Sequence, residues 1–232
     1  MTTPTVSEAE ARAGAVPGSW FSALTYEPFV WWAERSGMAD RRRRLLTSAD
    51  GEVLELGAGT GLNLPHYPLG LDRLVLAEPD PHMAGRLRKR LDRFEGEAEV
   101  LRAPAEALPV EDDSFDTVVA TLVLCTVADP ATALAEIRRV LRPGGALLFT
   151  EHVRADDPRL ARWQDRLHGA WRGFADGCNC NRATLELVRG AGFGVSVTER
   201  ATWRRMPPIV HPLVTGRAIP ATDKADRDTR TR

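Results

Sequence analysis

Glu55-Leu56-Gly57-Ala58-Gly59-Thr60-Gly61 decides the reading of this chain. It follows the apolar run Val53-Leu54-Glu55-Leu56 and leads into Leu62-Asn63-Leu64. Glycine at three alternate positions lets the backbone turn tightly and lie against a ligand, because no Cβ stands in the way. A glycine-rich turn alone is weak evidence. Here the next strand-like run, Leu74-Val75-Leu76-Ala77-Glu78, ends in an acid. That is roughly 20 residues on, where nucleotide-binding folds place a carboxylate for ribose hydroxyls. The dinucleotide fingerprint Gly-x-Gly-x-x-Gly needs a glycine where this chain has Leu62, which argues against a nicotinamide oxidoreductase.

Outward from this turn, apolar runs alternate with helical patterns. The runs 52–56, 73–78, 97–101, 116–121 and 145–151 read as strands, with helical segments near 62–66, 82–94, 105–107 and 130–141. The alternation predicts an α/β protein with a doubly wound parallel sheet and crossover helices. Arg142-Pro143-Gly144-Gly145 stops the helix ahead of the fifth strand, as Gly and Pro do beyond a helix end. Residues 155–180 break the alternation with Trp163, His168, Trp171 and Phe174, then Asp176-Gly177-Cys178-Asn179. They read as an inserted helix and loop on the substrate side. A helix over 181–191 and strands over 193–199 and 213–219 complete the sheet. Residues 1–18 and 220–232 are expected to be disordered. The segment Trp20 to Trp32 is dense in aromatics, which suits either helices packed on the sheet or a lid over a small-molecule pocket.

With 232 residues, 43% hydrophobic, 27% charged and a net charge of −1, the chain has the composition of one elaborated globular domain. Near-neutral charge argues against a nucleic-acid partner, which needs a strong basic face. Arg41-Arg42-Arg43-Arg44 is a local exception, read as the solvated face of a helix entering the first strand. No N-terminal run has the length and apolarity of a signal peptide or membrane span. The expectation is a cytoplasmic protein without an integral membrane segment, with peripheral membrane contact still compatible. Cys125, Cys178 and Cys180 are an odd set, read as free thiols in a reducing compartment. Cys178-Asn179-Cys180 supplies too few ligands for zinc by itself, so no metal is expected.

Glu-x-Gly-x-Gly-x-Gly at Glu55–Gly61, the acid at Glu78, Ala103-Pro104-Ala105-Glu106-Ala107-Leu108-Pro109 and Leu141-Arg142-Pro143-Gly144-Gly145 together resemble the class I S-adenosylmethionine-dependent methyltransferases. The resemblance implies a Rossmann-like sheet of about seven strands. It would be mostly parallel with an antiparallel last strand, carry helices on both faces, and have a helical lid over residues 19–50. Residues 51–219 would form the domain that binds S-adenosyl-L-methionine. Backbone groups at Gly57 and Gly59 would touch the cofactor's methionine part, Glu55, Ala58 and Gly61 would belong to the same cofactor site, and Glu78 would accept from both ribose hydroxyls, as a two-oxygen acceptor can. Pro79, Met83, Ala105, Glu106 and Thr121 would complete its site. Pro104 stands where the family often carries an Asp for the adenine amino group, so Ala105 N–H or Glu106 would substitute for it.

The motifs Thr121-Leu122-Val123-Leu124-Cys125-Thr126-Val127, Glu151-His152-Val153 and Asp176-Gly177-Cys178-Asn179 narrow the resemblance to the branch that includes the animal membrane-associated alkyl thiol methyltransferases. The chain is expected to lack their N-terminal anchor. The resemblance implies a small-molecule thiol as methyl acceptor, in secondary metabolism or thiol detoxification. Ligands in open α/β sheets sit beyond the carboxyl ends of the strands. His152 is there the candidate base, since an unperturbed imidazole titrates near neutrality. Trp20, Tyr26, Cys125, Asp176 and Asn179 are candidate substrate contacts. Competing readings keep the fold but methylate a phenol, a lipid head-group amine or a quinone-like ring. A non-catalytic cofactor-binding regulator is the alternative of another class. Monomer and homodimer are both compatible with the sequence.

Overall fold

The computed structural model describes residues 34–221. Residues 1–18 and 222–232 of the expected disordered ends, the aromatic segment Trp20–Trp32 and the candidate contacts Trp20 and Tyr26 lie outside that range. Pro220 is ordered in the last strand opposite Phe193, and Ala221 N–H donates to Gly192 O at 2.7 Å, so the expected tail does not begin at 220. The sheet of the described residues is seven-stranded, ordered β3-β2-β1-β4-β5-β7-β6. Its strands are β1 (Glu52–Leu56), β2 (Arg73–Ala77), β3 (Glu99–Leu101), β4 (Phe115–Thr121), β5 (Leu141–His152), β6 (Phe193–Thr202) and β7 (Pro212–Pro220). β1 pairs in parallel with β2 and β4, and β4 with β5. β7 runs antiparallel to both β5 and β6. The order reverses between β1 and β4, and ligands of such sheets bind at that switch point.

The central strands are buried on both faces, which explains their unbroken apolar sequence. Leu54, Leu56, Val75, Ala77, Val118 and Ala120 face one core, with Ala133, Leu134, Ile137 and Val140 of α3 (Pro130–Val140) and Leu185 and Val188 of α5 (Thr184–Gly190). Val53, Leu74, Leu76, Val119 and Leu148 face the other. There they meet Leu45 and Leu46 of α1 (Ala39–Leu46) and Ala84 and Leu87 of α2 (Pro81–Leu91). Within the expected insertion 155–180 the chain forms α4 (Pro158–Phe174). Three of these helices begin alike: Asp80, Asp129 and Asp157 each cap the backbone N–H groups two and three residues on, with proline next in sequence. Proline suits the first helical position, where its missing N–H would have no partner.

Some expectations need correction. Residues 105–107 form a turn closed by Ala107 N–H to Pro104 O at 3.2 Å, not a helix. Residues 62–66 yield only the 3₁₀ turn Leu64–His66. Arg142-Pro143-Gly144-Gly145 does follow the end of α3, but it belongs to β5 as an irregular stretch opposite Phe115–Thr117. Arg41–Arg44 is no uniform solvated face. Arg42 is buried and bonds Glu34 at 3.0 Å and Asn63 Oδ1 at 2.8 Å. Arg41 and Arg44 reach Glu199 of β6 at 3.2 and 2.8 Å. The run ties the segment before β1 to the glycine turn and to the far sheet edge.

Phe149 is fully buried in β5, and its ring lies against Gly216 of β7. Phe149→Ala should cost about 3–5 kcal/mol of stability. Denaturant unfolding with unchanged slope but a lowered midpoint would establish it.

Candidate active site

β1 delivers the chain into the glycine turn at the switch point. Gly57, Gly59 and Gly61 all have positive φ, at 55, 58 and 85°, a region closed to most side chains. Their surroundings differ. A Cβ on Gly57 would sit 2.7 Å from Val123 Cγ2, and one on Gly61 2.7 Å from Leu87 Cδ1. A Cβ on Gly59 would meet only Gly57 O, at 3.9 Å. Gly57 and Gly61 are thus required by the protein's own packing, while Gly59 presents bare backbone to open space. That is the cradle a ligand fits and a side chain would fill.

Glu78 stands across the cradle at the end of β2. Its Oε2 accepts from Gly59 N–H at 2.7 Å and its Oε1 from Asp80 N–H at 2.8 Å. Each oxygen keeps a second lone pair for a diol. Burial pushes its carboxyl up to about 7, against the pull of those two N–H bonds, and the charges of Asp80 and Asp176 push the same way. Asp176 itself is exposed with φ 49°.

Glu55 is buried in β1. Its carboxylate accepts from Asn63 Nδ2 at 2.9 Å and Tyr67 OH at 2.7 Å. Burial raises it to about 7, with Tyr67, Arg42 and Asn63 opposing. Asn63 also donates to Thr121 Oγ1 at 3.1 Å. Glu55 and Thr121 therefore belong to one buried polar network with Asn63, Tyr67 and Arg42. Ala58 is buried in the second core, Met83 is buried at the start of α2, and Pro79 is half-buried beside Glu78. Ala105 packs in the first core. Glu106 accepts from Ala128 N–H at 2.8 Å and so holds the approach to α3.

Beyond β4 and β5 lies a second centre. Glu151 is fully buried and accepts three successive backbone N–H groups, from Val123, Leu124 and Cys125, at 2.8, 2.9 and 3.3 Å. Burial pushes its carboxyl up to about 7 despite those donors. Next to it, His152 Nε2 lies 2.8 Å from Cys178 Sγ. His152 Nδ1 is buried with no hydrogen-bond partner among the described residues. Trp171 Nε1 donates to the same sulfur at 3.2 Å. The Cys125 thiol, with His152 and Trp171, holds the Cys178 thiol far below its ordinary range although burial opposes it, while Cys125 is raised. Asn179 acts as a staple: its N–H and Nδ2 donate to Cys125 O at 2.9 and 3.0 Å, and its Oδ1 meets His168. Arg182 Nη1 clasps Leu124 O and Val127 O at 2.6 and 2.9 Å. Met38, Trp203, Met206, Ile209, Val210 and Leu213 wall this centre with apolar surface.

The structure thus gathers Gly57, Gly59 and Glu78 at one centre and Cys125, His152 and Cys178 at another, with Val123 touching the first and leading to the second. Sequence reasoning missed Cys178 as His152's partner, the bonds of Asn63 and Tyr67 to Glu55, and the closing role of Arg182. The nearest signal was the pairing of Cys178 with Trp171 inside the insertion.

The family described as methyltransferase domain matches residues 54–149. The human thiol S-methyltransferase TMT1B is 39% identical over 184 residues, which cover 75% of this chain and 73% of the human protein. The human thiol S-methyltransferase TMT1A is 34% identical over 212 residues, 86% of each chain. An S-adenosylmethionine-dependent methyltransferase from Thermotoga maritima shares the fold, with a TM-score of 0.64 at 24% identity over 86% of this chain and 96% of that one.

Glu78→Ala should weaken S-adenosylhomocysteine binding by on the order of 2–4 kcal/mol, two charge-assisted bonds' worth. The pH dependence has a definite sign. A diol donates to the ionised carboxylate, and in the free protein that form is lost as pH falls through about 7, above the ordinary 4.5. Wild-type affinity should be level above that pH and fall by up to about tenfold per unit below it. Glu78→Gln should flatten the profile, and calorimetry across pH 5.5–8.5 (approximate limits) reads both effects.

Proposed function

The chain belongs to the family of S-adenosylmethionine-dependent methyltransferases that includes human TMT1A and TMT1B, and on that premise we propose that its methyl acceptor is a small-molecule thiol. The observation that carries the reading is the buried sulfur-and-imidazole centre beyond β4 and β5, with its apolar wall. The activity of both human relatives, thiol S-methylation, supports it.

When bound, S-adenosylmethionine supplies a methyl group already activated on a sulfonium. What remains for the protein is placement, exclusion of water and removal of the acceptor's proton. Gly59 is proposed to pass the methionine part along its bare backbone, and Glu78 to take the ribose diol. Ala58, Pro79, Met83 and Ala105 are proposed as flanking walls. Trp171, Trp203, Met206 and Ile209 offer an apolar acceptor the surface it needs and keep water out. A neutral thiol is a poor nucleophile and its thiolate a good one. His152 is proposed to favour that deprotonation. No enzyme thiol need carry the methyl.

A second reading, methylation of a lipid head-group amine, is favoured by one surface. Trp163, Leu167 and Phe174 of α4 are 54, 39 and 68% exposed. Arg159, Arg162 and Arg166 line a cavity with Trp163 on the same helix. Such a face suits an anionic membrane surface. Among the described residues no helix is long and apolar enough to cross a membrane.

Labelled S-adenosylmethionine with a panel of thiols, phenols and amines should place the label on sulfur. Transfer to oxygen or nitrogen alone would overturn the thiol reading, and co-sedimentation with anionic liposomes would strengthen the lipid one. His152→Ala should slow thiol methylation by roughly 10²–10⁴ at neutral pH with cofactor affinity retained. The deficit should shrink above about pH 8.5, where a simple thiol supplies its own thiolate. A variant with the wild-type rate across the pH range would leave His152 a purely structural part.

A further inference from the structure

We propose that Cys125, Cys178 and His152 form a binding site for one zinc ion, with a fourth position open to the acceptor's thiolate. The first half stands on geometry alone. The second half rests on the thiol-acceptor reading.

Cys125 Sγ, Cys178 Sγ and a ring nitrogen of His152 all lie within 4.8 Å of one another. Zinc at about 2.3 Å from sulfur and about 2.0 Å from nitrogen needs tetrahedral ligand atoms roughly 3.5–3.8 Å apart. The 2.8 Å between His152 Nε2 and Cys178 Sγ must open by less than about 1 Å, as a shared proton gives way to the ion. Two sulfurs and one imidazole are the ligands that zinc prefers, and three protein ligands with one open position are typical of its catalytic sites. Cys180 does not close the set, since its Sγ points to Gln164 O at 3.7 Å.

Both sulfur ligands have outer supports, while His152 Nδ1 has no partner among the described residues. Trp171 Nε1 donates to Cys178 Sγ. Cys125 is fixed on both sides of its peptide, by Glu151 through its N–H and by Asn179 through its C=O. Outer partners of this kind set the direction in which ligands point. The three ligands come from three separate segments: the loop after β4, the end of β5 and the loop before α5. Their burial is near complete, with Cys125, His152 and Cys178 at 1, 2 and 7% exposure. Two thiolates, a neutral imidazole and Zn²⁺ sum to zero charge, which makes such burial tolerable.

The balance is simple. Zinc entry releases the Cys125 thiol proton and the proton shared by Cys178 and His152 to solvent. The acceptor's S–H proton leaves likewise as its sulfur takes the fourth position. That sulfur then forms the new S–CH₃ bond as the sulfonium C–S bond breaks, its electron pair remaining on the donor's sulfur. The neutral thioether product is a weak ligand and departs.

The test is metal content and zinc titration of the full-length protein against a chromogenic chelator, in wild type, Cys125→Ser and Cys178→Ser. Wild type should hold about one zinc per chain, and each variant should lose more than tenfold in zinc affinity while S-adenosylhomocysteine affinity stays within about twofold. Cobalt in place of zinc should give wild type a thiolate-to-metal charge-transfer band, a readout independent of any variant's folding. Wild type binding no more zinc than the variants, or lacking that band, overturns the site. Undiminished thiol methylation by metal-free wild type overturns the metal's role and leaves the thiol reading standing. Zinc bound at the trio with no thiol methylated sinks the thiol reading and leaves the site.

Discussion

Much of this molecule hangs on the Glu151 carboxylate. Three consecutive N–H groups after β4 point at it, and three unpaired donors in that interior would each carry a desolvation cost of about 1–3 kcal/mol. Their convergence bends the chain where β4 ends, with Leu122 at φ 60°. The bend does two things at once. It sets Val123 against Gly57, so the glycine turn has a fixed wall, and it aims Cys125 towards His152 and Cys178. Asn179 and Arg182 then close the bend from the other side through its carbonyls.

Much of this was legible in the sequence, for a physical reason. The central strands are buried on both faces, so Val53–Leu56, Leu74–Ala77 and Val118–Ala120 advertise themselves as apolar runs. The turn at Gly57–Gly61 announces itself because positive φ leaves few residues to choose from. The strand-end acid followed from spacing. Less legible were interactions between segments far apart in the chain. Nothing local marks Arg42 or Glu55 as a buried partner of Asn63. The same holds for His152 and Cys178, separated by an entire helix. The misread segment 105–107 shows the limit from the other side: its helix-forming alanines are overridden by Ala103 and Ala105 packing into the core.

The two centres are built from different chemistry because they meet different demands. The glycine turn and Glu78 offer backbone and one carboxylate, placed by strands β1 and β2. The far centre offers soft sulfur and imidazole inside apolar walls, the sulfurs placed by loops and the imidazole by the end of β5. Three glutamates, at 55, 78 and 151, sit in this interior with carboxyls raised to about 7, in each case chiefly by burial. Each is held there by donors supplied in advance, so the folded chain carries the cost of these charges before any ligand arrives.

The reversed strand β7 has a consequence for how such a protein changes over generations. Because β7 enters the sheet from the opposite end, the connection Trp203–His211 passes over the sulfur-lined centre, where it contributes Trp203, Met206, Ile209 and Val210 to the wall. None of these residues takes part in the glycine turn or the strands that carry it. Mutation can therefore remodel the wall, in length or in bulk, while Glu78 and the glycine turn stay untouched. A lineage with this layout can diversify what it modifies without rebuilding how it holds its donor.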